Sequence, residues 1–192
     1  MRSLRIGKRK VTWLSLLIAV FIVVGQQYGW FGWLDTQAEV NQPGLYRVVK
    51  FDDGDTIAVN MNGKTETIRF IGVDTPETHD PRKPVQCYGP EAATYTKLTI
   101  GTQHVRLASD PLSSNRDRYD RLLRYVYLPD GTLLNEQLIL TGHGFAYTYF
   151  PFTKSALFIK DEATAQKAKA GVWRFCKPTP NQYGGYTSNV AN

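Results

Sequence analysis

The sequence predicts an α+β domain in which a small, mostly antiparallel β-barrel carries helices at one end. Two observations predict this class. Segments typical of secondary structure follow the order three strands, one helix, two strands and two helices, so most strands can pair locally. Clusters of Asp, Asn, Gly and Pro separate the β-rich segments and mark turns. The 192 residues, of which 42% are hydrophobic, suffice to bury a core of ordinary size.

The first three predicted strands are joined by short turns. Residues 45–51 (LYRVVKF) and 56–62 (TIAVNMN) are β-rich, and the sequence DDGD between them is a turn signal. Asn-Gly at 62–63 is typical of a hairpin turn, and residues 65–73 alternate well enough to form the return strand.

The remaining elements complete five strands and three packed helices. Residues 89–100 begin with Gly-Pro, which predicts a helix with proline in its first turn. Residues 103–109 and 121–128 predict strands, the second ended by Pro-Asp-Gly. Apolar residues at helical spacing predict a short helix from Leu134, and an Ala- and Lys-rich helix follows at 155–170. This size and strand count match the five-stranded oligonucleotide/oligosaccharide-binding (OB) barrel.

Most of the net charge of +6 lies at the N-terminus. Five of the 23 Lys and Arg residues fall within residues 1–10, a basic segment that contains no acid. The overall charge therefore says little about what the domain binds.

The apolar segment 11–34 is long enough, as a helix, to cross a bilayer with its N-terminus inside, and it predicts a transmembrane anchor. A signal peptide cleaved near Ala38 and a buried soluble helix are the alternatives. The anchor and the signal peptide both place the domain on the extracytoplasmic face: the domain is membrane-anchored in the first case and secreted after cleavage in the second. Residues 35–44 predict a linker, 45–177 the working domain, and the Pro/Gly/Asn-rich segment 178–192 a flexible tail.

Six short motifs carry the candidate chemistry. Taken singly, each has an ordinary structural explanation, such as a hairpin turn or a helix start. In chain order they are DGDT at 53–56, RFIGVDTPE at 69–77, YGPEA at 88–92, DRYDR at 117–121, Asn135-Glu136 and AYTY at 146–149. Together, in this order and spacing, they resemble the staphylococcal nuclease (thermonuclease) family over about residues 45–175.

The resemblance implies a calcium-dependent phosphodiesterase. Hydrolysis of a phosphodiester by water needs an activated nucleophile, neutralisation of charge on the phosphate and usually a cation. The family implies Asp55, Asp74 and the Thr75 carbonyl as ligands of Ca²⁺, an ion that prefers oxygen ligands. Glu77, three residues after Asp74, is the candidate that holds and deprotonates a water near the metal.

Two arginines and two tyrosines complete the site implied by the resemblance. Arg69 and Arg121 offer planar guanidinium donors that match phosphate oxygens bidentately. Tyr147 and Tyr149 match tyrosines that border the nucleotide pocket, where they stack under a base or bind a phosphate; the alternative is that they line the core. Asp120 stands where the family commonly has Gly, which predicts a carboxylate beside Arg121.

The resemblance also brings the segments that carry Cys87 and Cys176 close together. In an extracytoplasmic setting this predicts a disulfide between them. Two cysteines are too few for a four-cysteine zinc site or a disulfide-rich scaffold.

We therefore expect a Ca²⁺-dependent, sugar-nonspecific nuclease that hydrolyses single-stranded or relaxed DNA and RNA to 3′-phosphate products. Its partners are these nucleic acids and, through residues 11–34, a membrane; no protein partner is predicted. Two alternatives stay open: an OB-fold module that binds single-stranded nucleic acid with weak or no catalysis, and a structural surface protein whose acidic turns bind Ca²⁺. The presence of all the residues that the resemblance implies for catalysis favours the nuclease.

Overall fold

The computed structural model describes residues 44–78 and 84–191. The strands are β1 (Leu45–Asp53), β2 (Thr56–Met61), β3 (Lys64–Phe70), β4 (Val73–Asp74), β5 (His104–Ala108), β6 (Leu122–Tyr127), β7 (Phe145–Ala146), β8 (Thr179–Pro180) and β9 (Tyr186–Thr187). The helices are α1 (Gly89–Ile100), α2 (Leu134–Leu140), α3 (Ser155–Ala168) and α4 (Val172–Phe175). Five strands close into a barrel in the order β1-β2-β3-β6-β5, and β5 pairs back with β1. The closed barrel with its helices confirms the predicted α+β class.

Alternation along the strands fills the barrel with apolar side chains. Ile57 and Val59 of β2, Ile68 of β3 and Val126 of β6 are fully buried. Because side chains alternate along a strand, Arg69 points to the face opposite Ile68. All neighbouring barrel strands are antiparallel except β3 and β6, which run parallel.

Helix α2 is joined to the barrel through a buried asparagine. The Oδ1 of Asn135 accepts a hydrogen bond from the Val126 N–H at 2.9 Å, and its Nδ2 donates to the Ile71 carbonyl at 2.9 Å. A fully buried amide satisfied at both ends fixes α2 to β6 and to the turn before β4. Asn135, one of the motif residues, thus has a structural role.

The three predicted helices correspond to α1, α2 and α3, and the one-turn helix α4 adds to them. Gly142 after α2 and Gly171 before α4 lie backbone to backbone. A Cβ on Gly142 would lie 2.2 Å from the Ala170 carbonyl oxygen, and one on Gly171 would lie 2.3 Å from the Gly142 carbonyl oxygen. Because neither glycine has a side chain, the two segments approach closely enough for the Val172 N–H to donate to the Gly142 carbonyl at 2.9 Å.

Residues 178–191, whose composition predicts flexibility, have defined partners in the structure. Strands β8 and β9 form an antiparallel hairpin. Beyond it, the Asn189 carbonyl accepts the Cys87 N–H at 2.7 Å, and the Ala191 N–H donates to the Val85 carbonyl at 2.9 Å. This end of the chain therefore lies against the segment that leads into α1.

A disulfide joins Cys87 to Cys176, with their Cα atoms 5.9 Å apart. It links the segment before α1 to the residue after α4 and confirms the predicted pairing. It also ties together two parts of the chain that are 89 residues apart in sequence.

Several predicted segments lie outside the described residues. These are the basic segment at 1–10, the membrane span at 11–34 and nearly all of the linker at 35–44; residues 79–83 and Asn192 are not described either. Within the described part of the chain, no helix combines the length and apolar character needed to cross a bilayer.

Candidate active site

The DGDT turn and the DTPE segment meet at one place on the barrel. Thr56 pairs with Arg69 across β2 and β3, which sets Asp55, the residue before β2, beside Arg69. Gly54 allows the turn to close against Thr75, because a Cβ on Gly54 would lie 2.9 Å from the Thr75 side chain. The DGDT turn, strand β3 and the DTPE segment therefore each contribute residues to one site.

Arg69 lies at the centre of this site and contacts two carboxylates. Its Nη1 lies 2.9 Å from Asp55 Oδ2, and its Nη2 lies 2.7 Å from Asp74 Oδ1. Nη1 also donates to the Val73 carbonyl at 2.7 Å. Burial alone would lower the pKa of Arg69, but the charges of Asp55 and Asp74 raise it above its ordinary value. The guanidinium is therefore a permanent cation between two predicted metal ligands.

Acidic groups crowd around the turn. Burial, and then the neighbouring charges of Asp55 and Glu77, raise the pKa of Asp53 to about 7. Asp53 Oδ1 also accepts hydrogen bonds from the Gly54 N–H at 2.8 Å and the Thr78 hydroxyl at 3.0 Å. Burial is therefore the main cause of the raised pKa of Asp53, and the two neighbouring carboxylates add to it.

The donor chemistry of the site fits a hard cation such as Ca²⁺. Asp55 and Asp74 supply carboxylate oxygens, and the Thr75 hydroxyl is buried without a hydrogen-bond partner. The Thr75 N–H donates to Asp55 Oδ2 at 2.9 Å, which connects two of the predicted ligands. Among the residues described, no three His, Cys, Asp or Glu side chains form a ready-made metal cluster. Carbonyl oxygens and waters would therefore have to complete a calcium shell.

Glu77 is held by a residue outside the sequence motifs. The Glu77 N–H donates to Gln86 Oε1 at 2.8 Å, and the Gln86 N–H donates back to the Glu77 carbonyl at 2.9 Å. Glu77 Oε1 accepts the Thr78 N–H at 3.1 Å. Sequence reasoning missed Gln86, because its role depends on the chain returning beside Glu77.

Arg121 is paired with Asp117. The Nε and Nη2 of Arg121 lie 2.7 and 2.6 Å from Asp117 Oδ2. Asp120 has a left-handed backbone with φ of 64°, a conformation that glycine adopts without strain. Its exposed carboxylate lies 3.6 Å from Arg116 Nε. The acidic partner of Arg121 is thus Asp117, not the sequence neighbour Asp120.

Arg69 and Arg121 lie next to a buried pair of residues on two neighbouring strands. In the parallel pair of β3 and β6, Ile68 lies opposite Leu122, and both side chains are fully buried. Arg69 follows Ile68 within β3, and Arg121 immediately precedes Leu122, the first residue of β6. The two arginines therefore flank this buried pair on neighbouring strands.

Tyr147 borders the Arg69 site, and Tyr149 lies further out. The Tyr147 N–H donates to the Gly72 carbonyl at 2.9 Å, which fixes it just after β7. Burial and then the charge of Asp74 raise the pKa of Tyr147, while Arg69 opposes the shift. The Tyr149 ring lies 6.4 Å from that of Tyr147. Neither side chain belongs to the hydrophobic core, so the core-lining alternative is excluded.

His143 belongs to an aromatic stack. Its ring lies 4.1 Å from that of Tyr95 and 5.2 Å from that of Tyr88, and its Nδ1 lies 2.8 Å from the Thr141 hydroxyl. Burial lowers the pKa of His143 to about 4, so the imidazole is neutral at physiological pH.

Comparisons with known proteins find one family and several relatives that this chain is similar to. A family model described as staphylococcal nuclease homologue matches residues 67–175. A thermonuclease of Staphylococcus hyicus is 37% identical over 174 residues, which cover 86% of this chain and 98% of that protein. A thermonuclease of Staphylococcus intermedius is 36% identical over 161 residues, 83% of this chain and 94% of its own. Endonuclease YncB of Bacillus subtilis (strain 168) is 42% identical over 123 residues, 63% of this chain and 57% of its own.

Proposed function

The chain belongs to the staphylococcal nuclease family, and on that basis we propose that it is a nuclease that hydrolyses phosphodiester bonds in DNA and RNA. The observation that carries the proposal is the meeting of Arg69 with Asp55 and Asp74 at one turn. Glu77 lies close enough to this turn to affect the titration of Asp53. Relatives named thermonuclease and endonuclease support the same activity.

The side chains of the site divide the chemistry among them. Glu77, fixed through its backbone by Gln86, would accept a proton from the attacking water. Arg69 would exchange its carboxylate partners for phosphate oxygens as substrate enters, and Arg121 would donate to the same phosphate. Departure of the 5′ oxygen would leave a 3′-phosphate end.

Ca²⁺ is the cofactor that we propose, held by Asp55, Asp74 and the Thr75 carbonyl. When bound, it would supply charge neutralisation at the phosphate. The donor set supports this choice, because Asp55 and Asp74 supply carboxylate oxygens on either side of Arg69 and Ca²⁺ prefers oxygen ligands.

The substrate range follows from what the site can contact. Arginine contacts to phosphate carry no information about base or sugar, so cleavage would be sugar-nonspecific. Tyr147 and Tyr149 would meet a base only when it is unpaired, which favours single-stranded or relaxed nucleic acid.

We place this activity outside the cytoplasm. The apolar segment 11–34 supports a membrane anchor, or secretion if the segment is cleaved. The disulfide between Cys87 and Cys176 supports an oxidising compartment.

The test is cleavage of single-stranded DNA and RNA by the purified, oxidised protein, first with Ca²⁺ and then with a chelator. Glu77→Gln removes the proton acceptor with little change of shape. Glu91→Gln, an exposed carboxylate on α1, is the matched control. We expect calcium-dependent cleavage that falls at least about 100-fold in Glu77→Gln and persists in Glu91→Gln. Binding of nucleic acid without cleavage by the wild-type protein would support the OB-fold binding module instead.

A further inference from the structure

Three large aromatic side chains form an exposed cluster beside the candidate active site. Tyr149, Phe150 and Tyr183 are 56%, 60% and 44% exposed. The Tyr149 ring is nearly perpendicular to both others, with centroids 4.8 Å from Phe150 and 5.5 Å from Tyr183. Single exposed aromatics are ordinary, but a contiguous exposed group marks a binding surface. We call these three residues the aromatic platform.

The C-terminal hairpin holds Tyr183 in this cluster through specific hydrogen bonds. The Tyr183 N–H donates to Asn181 Oδ1 at 2.9 Å, and the Asn181 N–H donates to the Gly185 carbonyl at 2.9 Å. The Thr148 hydroxyl, from the residue before Tyr149, donates to the Gly184 carbonyl at 2.9 Å. The turn between β8 and β9 is therefore attached directly to the segment that carries Tyr149.

The aromatic platform is continuous with the Arg69 site. The pKa of Tyr147 is affected by Asp74 and Arg69 and also by Tyr149 and Tyr183, so Tyr147 lies near both groups. Two ring-to-ring steps, 6.4 Å from Tyr147 to Tyr149 and 5.5 Å from Tyr149 to Tyr183, lead away from the site. Each step exceeds the rise of roughly 3.4 Å per nucleotide along a stacked strand. A base on the aromatic platform can therefore be a different one from the base that meets Tyr147.

We propose that the aromatic platform stacks a nucleobase of a single-stranded substrate, one that lies beyond the two nucleotides flanking the cleaved bond. The proposal rests on the nuclease function proposed above. An exposed ring face accepts any base, so the contact adds affinity without sequence preference. Bases in a duplex are already stacked and paired, so the platform favours unpaired strands. Tyr183 lies beyond residues 67–175, the part of the chain that the family model matches.

The test compares two substrates in the full-length, oxidised protein: a dinucleotide and a single-stranded DNA of about ten nucleotides, within the site size of a single-strand-binding domain. Tyr183→Ala should raise KM for the oligonucleotide about 5- to 150-fold, the usual effect of losing one base–aromatic stack. It should leave kcat, and KM for the dinucleotide, within about twofold. Tyr183→Phe keeps the ring and should retain the wild-type KM. Phe175→Ala, an exposed aromatic on α4, is the control.

The outcomes separate this proposal from the nuclease assignment. A wild-type protein that cleaves neither substrate refutes the proposed function, and the platform with it. Cleavage by the wild type with an unchanged oligonucleotide KM in Tyr183→Ala overturns the platform alone. An equal rise of KM for both substrates, or a lowered melting temperature in Tyr183→Ala, would mean that Tyr183 only braces Tyr149, and this also overturns the proposal.

Discussion

Loss of the disulfide between Cys87 and Cys176 should lower the free energy of unfolding by several kcal/mol. The two cysteines are 89 residues apart in sequence. For a loop of that length, the chain-entropy relation gives about 15 cal/mol/K, or about 4.6 kcal/mol at 25 °C. Native contacts near Cys87, such as its N–H to the Asn189 carbonyl, do not require the bond, so the effect should act on the unfolded state. The total free energy of unfolding of a domain of this size is only about 5–15 kcal/mol.

Thermal unfolding followed by circular dichroism measures this loss. Oxidised wild type, reduced wild type and a double variant with Cys87→Ser and Cys176→Ser are compared at one pH and ionic strength. The reduced wild type and the double variant should melt together, about 9–18 °C below the oxidised protein. Reductant added to the double variant is the control and should change nothing. A decrease of less than about 3 °C would refute the chain-entropy argument for this loop.

Three further predictions concern individual side chains. Gln86→Ala should lower kcat about tenfold with little change in KM, because Glu77 loses the acceptor that orients its backbone, whereas Gln86→Glu keeps that acceptor; equal kinetics in the two variants would contradict this role. Asp120→Gly should leave kcat within about twofold, because the Asp120 carboxylate pairs with Arg116 rather than with Arg121; a large gain in steady-state activity would show that its charge restrains catalysis. His143 has a folded pKa of about 4 against an ordinary 6.5, so its contribution to stability is complete above about pH 6.5 and is lost as the pH falls to about 4. His143→Gln should flatten the change in urea midpoint across that window, and His104→Gln, an exposed ring, should not; matching curves for all three proteins would exclude this linkage.

The strands and helices were predictable because their signals are local. Turn sequences such as DDGD and Asn-Gly, and the Gly-Pro start of α1, act within a few residues. The parallel pairing of β3 with β6 and the closure of β5 onto β1 depend on long-range packing. For these features the sequence provided only its size and strand count, which match the OB barrel. The hydrophobic pattern alone could not predict which residues of these strands pair.

The candidate site was predictable in its members but not in its partners. The resemblance carried by the motifs singled out Asp55, Arg69 and Asp74, yet it did not indicate that the guanidinium would pair with both carboxylates. Sequence adjacency suggested Asp120 beside Arg121, but a left-handed backbone at position 120 leaves that pairing to Asp117. The direction of the backbone decides which arginine pairs with which carboxylate, and the sequence motifs do not indicate that direction.

Residues of the tail were missed for a different reason. Pro, Gly and Asn favour irregular loops and tight hairpins alike, so the composition of 178–192 could not reveal β8 and β9. Tyr183 became a candidate only when the hairpin brought it to Tyr149.

The backbone contact between Gly142 and Gly171 has a practical consequence for protein engineering. Saturation mutagenesis at either position should return glycine almost alone, because even a methyl group would overlap a carbonyl of the facing segment. A change at one position cannot be rescued at the other, since each glycine already lacks a side chain to remove. Stabilisation campaigns that replace glycine with alanine should therefore leave this pair untouched. When homologues are aligned, a shared pair of glycines at these two positions would identify chains that join α2 and α4 by the same contact.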